Sequence, residues 1–407
     1  MKIAALRDWW VRHHTTLLSI AIVLMTLAAF HRLADQFSRL LWELGPEGAI
    51  DLKQRHQEVH LWFAGHSVYT AVGHAVYPPA SYVILWPLLG WLSVTAARWL
   101  WAVTSVVMLG WLVYLAVRES EAGMRLEQLV IGLLALSMYA TSATIGNGQL
   151  IVHILPMLIT GITRLDRREG WLPDVLGAAL IVTALVSPTI AAPFFWIVLF
   201  TPGRIRPAVL VVAGYVMLTL FAVWFQEASP VSVQEWAERG QKGAAWGAVQ
   251  GGYANLHSWL GAWGLQAWNR HASLFVLSIL GVWVYRHRRV DLWLLLGVSA
   301  IAARVWAYHR LYDDLLILLP LIALFRIAKR GPAAKGEDVI AGLLLAITWV
   351  AVLAPARLLV SPPLWSWLFA AGQTVVWVAM LIFLLWQASR EKFARAAGVY
   401  SPENTVS

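Results

Sequence analysis

The sequence predicts an all-α, polytopic membrane protein, and three observations carry that expectation. The 407 residues are 59% hydrophobic and only 13% charged, where a soluble domain has about 25% charged residues. Apolar runs recur near the ~20 residues that a helix needs to cross a bilayer. The basic residues gather between alternate runs, as they do where they set orientation. That role accounts for the net charge of +9 and leaves no call for nucleic acid as a partner. The 25 tryptophans suit a chain with much membrane–water interface. With no cysteine, disulfides, thiolate nucleophiles and cysteine metal sites are excluded. No repeat and no long polar block interrupts the chain, so residues 1–407 are expected to form one transmembrane domain.

The elements follow in order. Residues 15–34 come after Lys2, Arg7 and Arg12 and lack a small-x-small cleavage site, so they predict a retained helix rather than a signal peptide. Further spans are expected at 98–117, 128–145, 150–163, 174–187, 190–201, 207–225, 271–285, 290–304, 311–328, 338–356 and 366–388. The stretch 80–95 follows "YPP" and carries Pro87. If it does not cross, 20 of the 31 lysines and arginines lie on the cytoplasmic side. If it crosses, every later loop flips and only 10 of the 31 do. The bias of basic residues toward the cytoplasm selects the first arrangement. It has 12 crossings, both termini inside, juxtamembrane helices in an outer loop at 35–97, and a second outer loop at 226–270.

Several spans are short. At 1.5 Å per residue, 150–163 and 174–187 reach only about 21 Å, against a core of ~30 Å. "ALVSPTIAAPFFW" (184–196) holds two prolines and predicts a broken hairpin tip. Polar backbone at membrane depth is tolerated only inside protein or around a cavity, so an outward-facing cavity is expected.

The outer face collects the polar side chains. Five separated segments bring Asp51, Glu58, His66, Tyr69, His74, Tyr77, Asn147, Gln149, His153, Asn255, His257, Arg304, His309, Arg310 and Asp313 to it. Each piece alone has an ordinary explanation. "YHRLYDD" (308–314) reads as a helix start with a snorkelling arginine and acidic first turn. "GNGQ" (146–149) reads as a turn, "YPP" as an extended stop, Asn255 as a helix cap, and Asp51 as a solvated carboxylate. Their convergence on one face of a chain that otherwise avoids polarity points to a functional site. No metal-ligand spacing is present among the scattered histidines and Asp313/Asp314, and no cofactor is called for.

At these residues the chain resembles glycosyltransferase family 87 (DUF2029), whose members use polyprenyl-phosphate sugars and have the GT-C fold. The resemblance rests on Asp51 after the first helix, on "GHSVYTAVGHAVYPP" (65–79), on "GNGQ", and on the polar loop with Asn255. It runs from about residue 50 to residue 320. Where such families often carry Lys-Pro, this chain has Ser187-Pro188, and His309 and Arg310 are the replacement cations.

The resemblance implies transfer of a sugar, such as mannose, from a polyprenyl-phosphate donor to an acceptor hydroxyl on a lipid or glycan. The site would face the periplasm or exterior of a bacterial inner membrane. The physical chemistry agrees. An acceptor hydroxyl ionises far above neutral pH and needs a general base, for which Asp51 is the candidate and Glu58 the rival. A phosphate leaving group wants Arg or His donors, for which His309 and Arg310 are candidates, with Asp313 holding Arg310 or capping the following helix. Tyr77, Asn147, Gln149 and Asn255 would orient sugar hydroxyls, and Tyr69, His74 and His257 complete the substrate-binding set. The competing class is a lipid-linked saccharide flippase or transporter, which would also gather polar residues near the inner ends. A purely structural membrane subunit would not cluster ionisable groups.

Overall fold

The computed structural model describes residues 3–226, 234–236, 238–239, 255–330, 336–354 and 363–396, and among them every regular element is helical. The elements used below are α1 (Ile3–Trp42), α2 (Ile50–Phe63), α3 (Pro79–Leu89), α4 (Val94–Glu119), α5 (Arg125–Ser137), α6 (Tyr139–Asn147), α7 (Ile151–Arg167) and α8 (Trp171–Ala184). The second half adds α9 (Arg206–Trp224), α10 (Leu256–Ala262), α11 (Asn269–His287), α12 (Leu292–Val305), α13 (Leu318–Lys329), α14 (Glu337–Leu353) and α15 (Pro363–Ala396).

Among the described residues, four helices are long and apolar enough to cross a membrane: α1, α4, α9 and α15. The pair α5 and α6 makes a fifth candidate, broken by 43°. Most of the other expected spans are helical but short, and the 19-residue α11 falls outside the candidates, so length and composition alone do not reach the expected 12. Burial explains why short elements are tolerated. The long helices carry exposed apolar side chains, such as Leu24, Leu27 and Phe30 on α1 and Met217, Leu220 and Phe221 on α9. In contrast, α7, α12 and α13 have their leucines and isoleucines almost wholly buried. Short helices at the centre meet protein rather than lipid, so their polar ends find partners. Gly161 on α7 and Gly177 on α8 let those two helices touch, since a Cβ at Gly161 would lie 3.1 Å from the Gly177 carbonyl oxygen. Small residues at such crossings are the usual means of close helix approach in membranes.

The expected boundaries shift in informative places. The first helix runs on to Trp42, eight residues past the expected end. There the buried Arg98, from the start of α4, donates to the Leu40 carbonyl at 2.5 Å and the Glu43 carbonyl at 2.7 Å. It satisfies the acceptors a helix end leaves open. The expected span 128–145 breaks at Met138, which is extended. No proline or glycine sits at the break. The freed Ser137 carbonyl accepts from Arg32 of α1 at 2.8 Å. The prolines of 184–196 do break the chain, into Pro188–Ala191, Ala192–Phe194 and Phe195–Leu199. The stretch 80–95 contains the eleven-residue α3 with Pro87 inside, about 16 Å at 1.5 Å per residue and too short to span.

The segments expected on the cytoplasmic side pair with one another: Arg7 with Asp338, Arg167 with Glu119, Arg204 with Asp174, Arg326 with Asp291, and Lys329 with Glu127. The segments expected outside also meet one another. Ala49 donates its N–H to Gly146, Trp62 to Ala222, Trp306 to Thr189, and Ser81 to Val186. The 226–270 loop lies largely outside the described residues, but Glu235 accepts from Ser67 and Arg239 donates to Tyr69. A cysteine at Ser67 in this cysteine-free chain should therefore react with an impermeant thiol reagent in intact cells, and one at Glu169 only after lysis. The reverse pattern would invert the arrangement. Ser229, the other natural labelling position, lies outside the described residues.

Candidate functional site

The site is built where α2 meets the turn after α6. Gly148 ends α6 in the left-handed region, at φ 72°. A side chain there would be strained and would also collide with Leu52, whose Cβ would lie 2.5 Å from the added carbon. The "GNGQ" turn is thus glycine-bearing because it lies directly on α2, one residue from Asp51. Ala49, just before α2, is also left-handed at φ 50°, an uncommon state for a residue with a Cβ. Its N–H donates to the Gly146 carbonyl at 3.2 Å, which holds the helix entry in place.

Asp51 is half-buried in the first turn of α2. Burial pushes its carboxyl above the ordinary carboxylate range, and Asp313 adds to the rise. The Gln149 side chain, Arg55 and Arg310 oppose it by favouring the charged form. So the candidate base, a sugar-orienting candidate and both residues of the Arg310–Asp313 pair act on one carboxyl. The sequence placed them on one face, and the structure brings them together.

One turn along α2, Arg55 is buried and donates to the fully buried Glu58 at 2.5 Å. Gln54 donates to the other Glu58 oxygen at 2.9 Å. Burial pushes the Glu58 carboxyl up and Arg55 holds it down. The Arg55 guanidinium also lies 4.3 Å from the centre of the Tyr77 ring. Burial pushes the Tyr77 hydroxyl up to about 12, so Tyr77 stays a neutral donor. Sequence reasoning counted Arg55 only as a basic residue of the outer loop. Its signal was the spacing Asp51, Arg55, Glu58, which stacks all three on one helix face.

The "YHRLYDD" stretch divides its labour. Asp313 is buried and accepts from the His309 ring at 3.0 Å and from the Arg310 backbone N–H at 3.1 Å. It caps the 3-10 turn Leu311–Ile317 rather than gripping the Arg310 side chain. His309 is buried, and its Nε2 has no hydrogen-bond partner among the described residues. Arg310 is exposed, with Nε donating to the Tyr308 hydroxyl at 2.6 Å. Asn255 is buried as the cap of α10, and its amide donates to the His309 carbonyl at 3.3 Å. His257 faces the Ser273 hydroxyl at 2.7 Å, and burial pushes it down to about 4.

The remaining candidates sit apart. Tyr69 is buried, with its hydroxyl donating to the Tyr77 carbonyl at 2.8 Å. It supports the segment that presents Tyr77. His74 is exposed, Asn147 is half-buried at the end of α6, and His153 is buried against Thr104 of α4 at 3.0 Å. Asp51 lines neither of two cavities among the described residues. One of about 390 Å³ opens by Asp35, Arg39 and Glu43, and a small one lies near Asp166 at the other end. No group of three or more metal-ligating side chains occurs among the described residues.

Behind the site lies a cluster that sequence reasoning did not assemble. Asp314 is buried between Arg304 and Tyr139, both of which donate to it. Gln373 of α15 donates to the Tyr139 hydroxyl at 2.8 Å. The Arg304 guanidinium lies 5.0 Å from the centre of the Trp377 ring.

A helical membrane protein with a half-buried carboxylate within the electrostatic reach of an exposed arginine defines a class of site suited to transfer chemistry on an anionic substrate. The family comparison narrows it. The model of glycosyltransferase family 87 matches residues 75–316, more than half of the chain, and the protein belongs to that family. It is a membrane glycosyltransferase. The match takes in Tyr77, Gln149, Asn255, His309, Arg310 and Asp313 but begins after Asp51 and Glu58. No match was found among curated proteins or solved structures.

Proposed function

We propose that this glycosyltransferase uses a polyprenyl-phosphate sugar, a hexose or pentose, and transfers it with inversion to a lipid or glycan hydroxyl. The proposed fold is of the GT-C type with 12 crossings, in a bacterial inner membrane, with the site facing the periplasm or exterior. The observation that supports the proposal is that a half-buried carboxylate, Asp51, and an exposed guanidinium, Arg310, lie near enough for the cation to favour the charged carboxylate, in a chain of this family. Asp51 takes the acceptor's proton as its oxygen attacks the anomeric carbon. The bond from that carbon to the phosphate oxygen breaks with its electron pair, and polyprenyl phosphate leaves. Arg310 neutralises the charge that accumulates on the leaving phosphate. Gln149 and Tyr77 stand where they can hold sugar hydroxyls. His309, being buried on Asp313, orients the loop that carries Arg310.

The test is purified protein supplied with labelled polyprenyl-phosphate sugars and scored for transfer. A charge-assisted hydrogen bond to an anion is worth about 1.5–3 kcal/mol. Arg310→Ala should therefore raise the Kd for the active donor by roughly 10–100-fold, with the fold intact because the side chain is exposed. Wild-type donor affinity in Arg310→Ala would reduce the cluster to a helix start.

A further inference from the structure

The second helix carries two histidines that the proposed transfer does not use. His56 and His60 stand one turn apart on α2. Their Nε2 atoms are 3.1 Å apart and their ring centres 4.3 Å apart. The Leu92 carbonyl oxygen, in the turn between α3 and α4, lies 2.8 Å from the same His56 Nε2. Three electron-pair donors therefore converge on one point.

Protons satisfy that point poorly. A proton on His56 Nε2 must be shared between a carbonyl and the second ring. A proton on His60 Nε2 instead leaves the His56 lone pair facing the carbonyl lone pairs. A metal ion accepts from all three at once, and the distances suit it. Imidazole nitrogens bind such ions at about 2.0–2.1 Å. Two of them at about 90–110° around the ion are then about 2.9–3.4 Å apart, and the observed separation falls inside that window.

We propose that His56 and His60, with the Leu92 carbonyl, form a binding site for a divalent transition-metal ion of the Zn²⁺, Cu²⁺ or Ni²⁺ kind. Imidazole favours these ions over Mg²⁺ and Ca²⁺. Two histidines four residues apart on a helix also have the spacing of helical zinc proteases, a metal-ligand spacing that sequence reasoning passed over among the scattered histidines. The intervening Glu58 is turned away onto Arg55, so the site lacks a water-activating carboxylate and is a structural clamp. His60 is exposed and His56 half-buried, which leaves the point open to solvent. Water fills the remaining coordination positions. A bound ion ties α2, whose first turn holds Asp51, to the turn between α3 and α4. The inference is independent of the proposed sugar donor.

The experiment uses tag-free protein, titrated calorimetrically with zinc chloride, and copper(II) for electron paramagnetic resonance. Saturable binding of one equivalent is expected, with no competition from Mg²⁺. The copper spectrum should show two equatorial nitrogens. His60→Gln should weaken binding by more than the 10–100-fold typical of losing an outer-shell partner and reduce the spectrum to one nitrogen. His56→Gln, a second and independent variant, should do the same. No saturable binding, affinity unchanged in both variants, or equal competition by Mg²⁺ would each overturn the site.

Discussion

Asp51→Asn should slow sugar transfer by about 10²–10⁴-fold, the usual contribution of a general base, while donor binding survives. Asparagine keeps the shape and the contact with Gln149 but cannot take the proton. Turnover and donor affinity measured together decide the matter. Intact turnover removes the base role, and lost donor binding makes Asp51 an orienting residue. The pH profile gives a second handle. The base acts deprotonated, so transfer rises with pH through the Asp51 titration and fails below it. Burial raises that titration, so the acid limb should lie above the ordinary aspartate value of about 3.9. Glu58→Gln supplies the contrast. Glu58 is fully buried on Arg55, so its loss should show first in stability.

The largest effect on stability is expected at Asp314. Asp314→Ala leaves the buried Arg304 without its counter-charge, and removing one partner of a buried pair costs about 3–5 kcal/mol. Tyr139 loses its acceptor in the same step. Thermal unfolding of the purified protein in detergent should show a large drop in Tm. The double variant Arg304→Met with Asp314→Leu should recover most of it, because apolar replacement of both charges removes their desolvation cost. A wild-type Tm in Asp314→Ala would show that the cluster contributes nothing to folding.

The class of the molecule was legible because burial in lipid demands apolar helices, and runs of twenty such residues are visible in any window. The grouping of loops was legible because basic residues mark one set of them, and ion pairs link those loops. The meeting of Asp51 with "GNGQ" agreed with both being expected on one face, though the contact itself was not foreseen. What stayed hidden depends on distant partners. Asp314 and Tyr139 are 175 positions apart, and Tyr139 and Gln373 are 234 apart; no local pattern encodes such pairing. The break at Met138 was hidden because neither proline nor glycine marks it. Arg55 was overlooked because a charge in an outer loop is ordinarily solvated, whereas this one is enclosed by Glu58 and Tyr77. The short spans were expected to line a cavity; of the short helices, α7, α12 and α13 are buried among the others, whereas α8 keeps Trp171, Leu172 and Leu176 exposed.

The cross-linked inner end has a mechanical consequence. Arg7, Arg167, Arg204, Arg326 and Lys329 each bridge to an acidic residue on another element. One such exposed pair is worth about 0–1 kcal/mol, but they join six or more helices, and parting that end would break many of them in concert. A conveyor of cargo must loosen each end in turn. Here the paired end is held by many ion pairs at once, which leaves movement to the elements that carry Asp51 and Arg310.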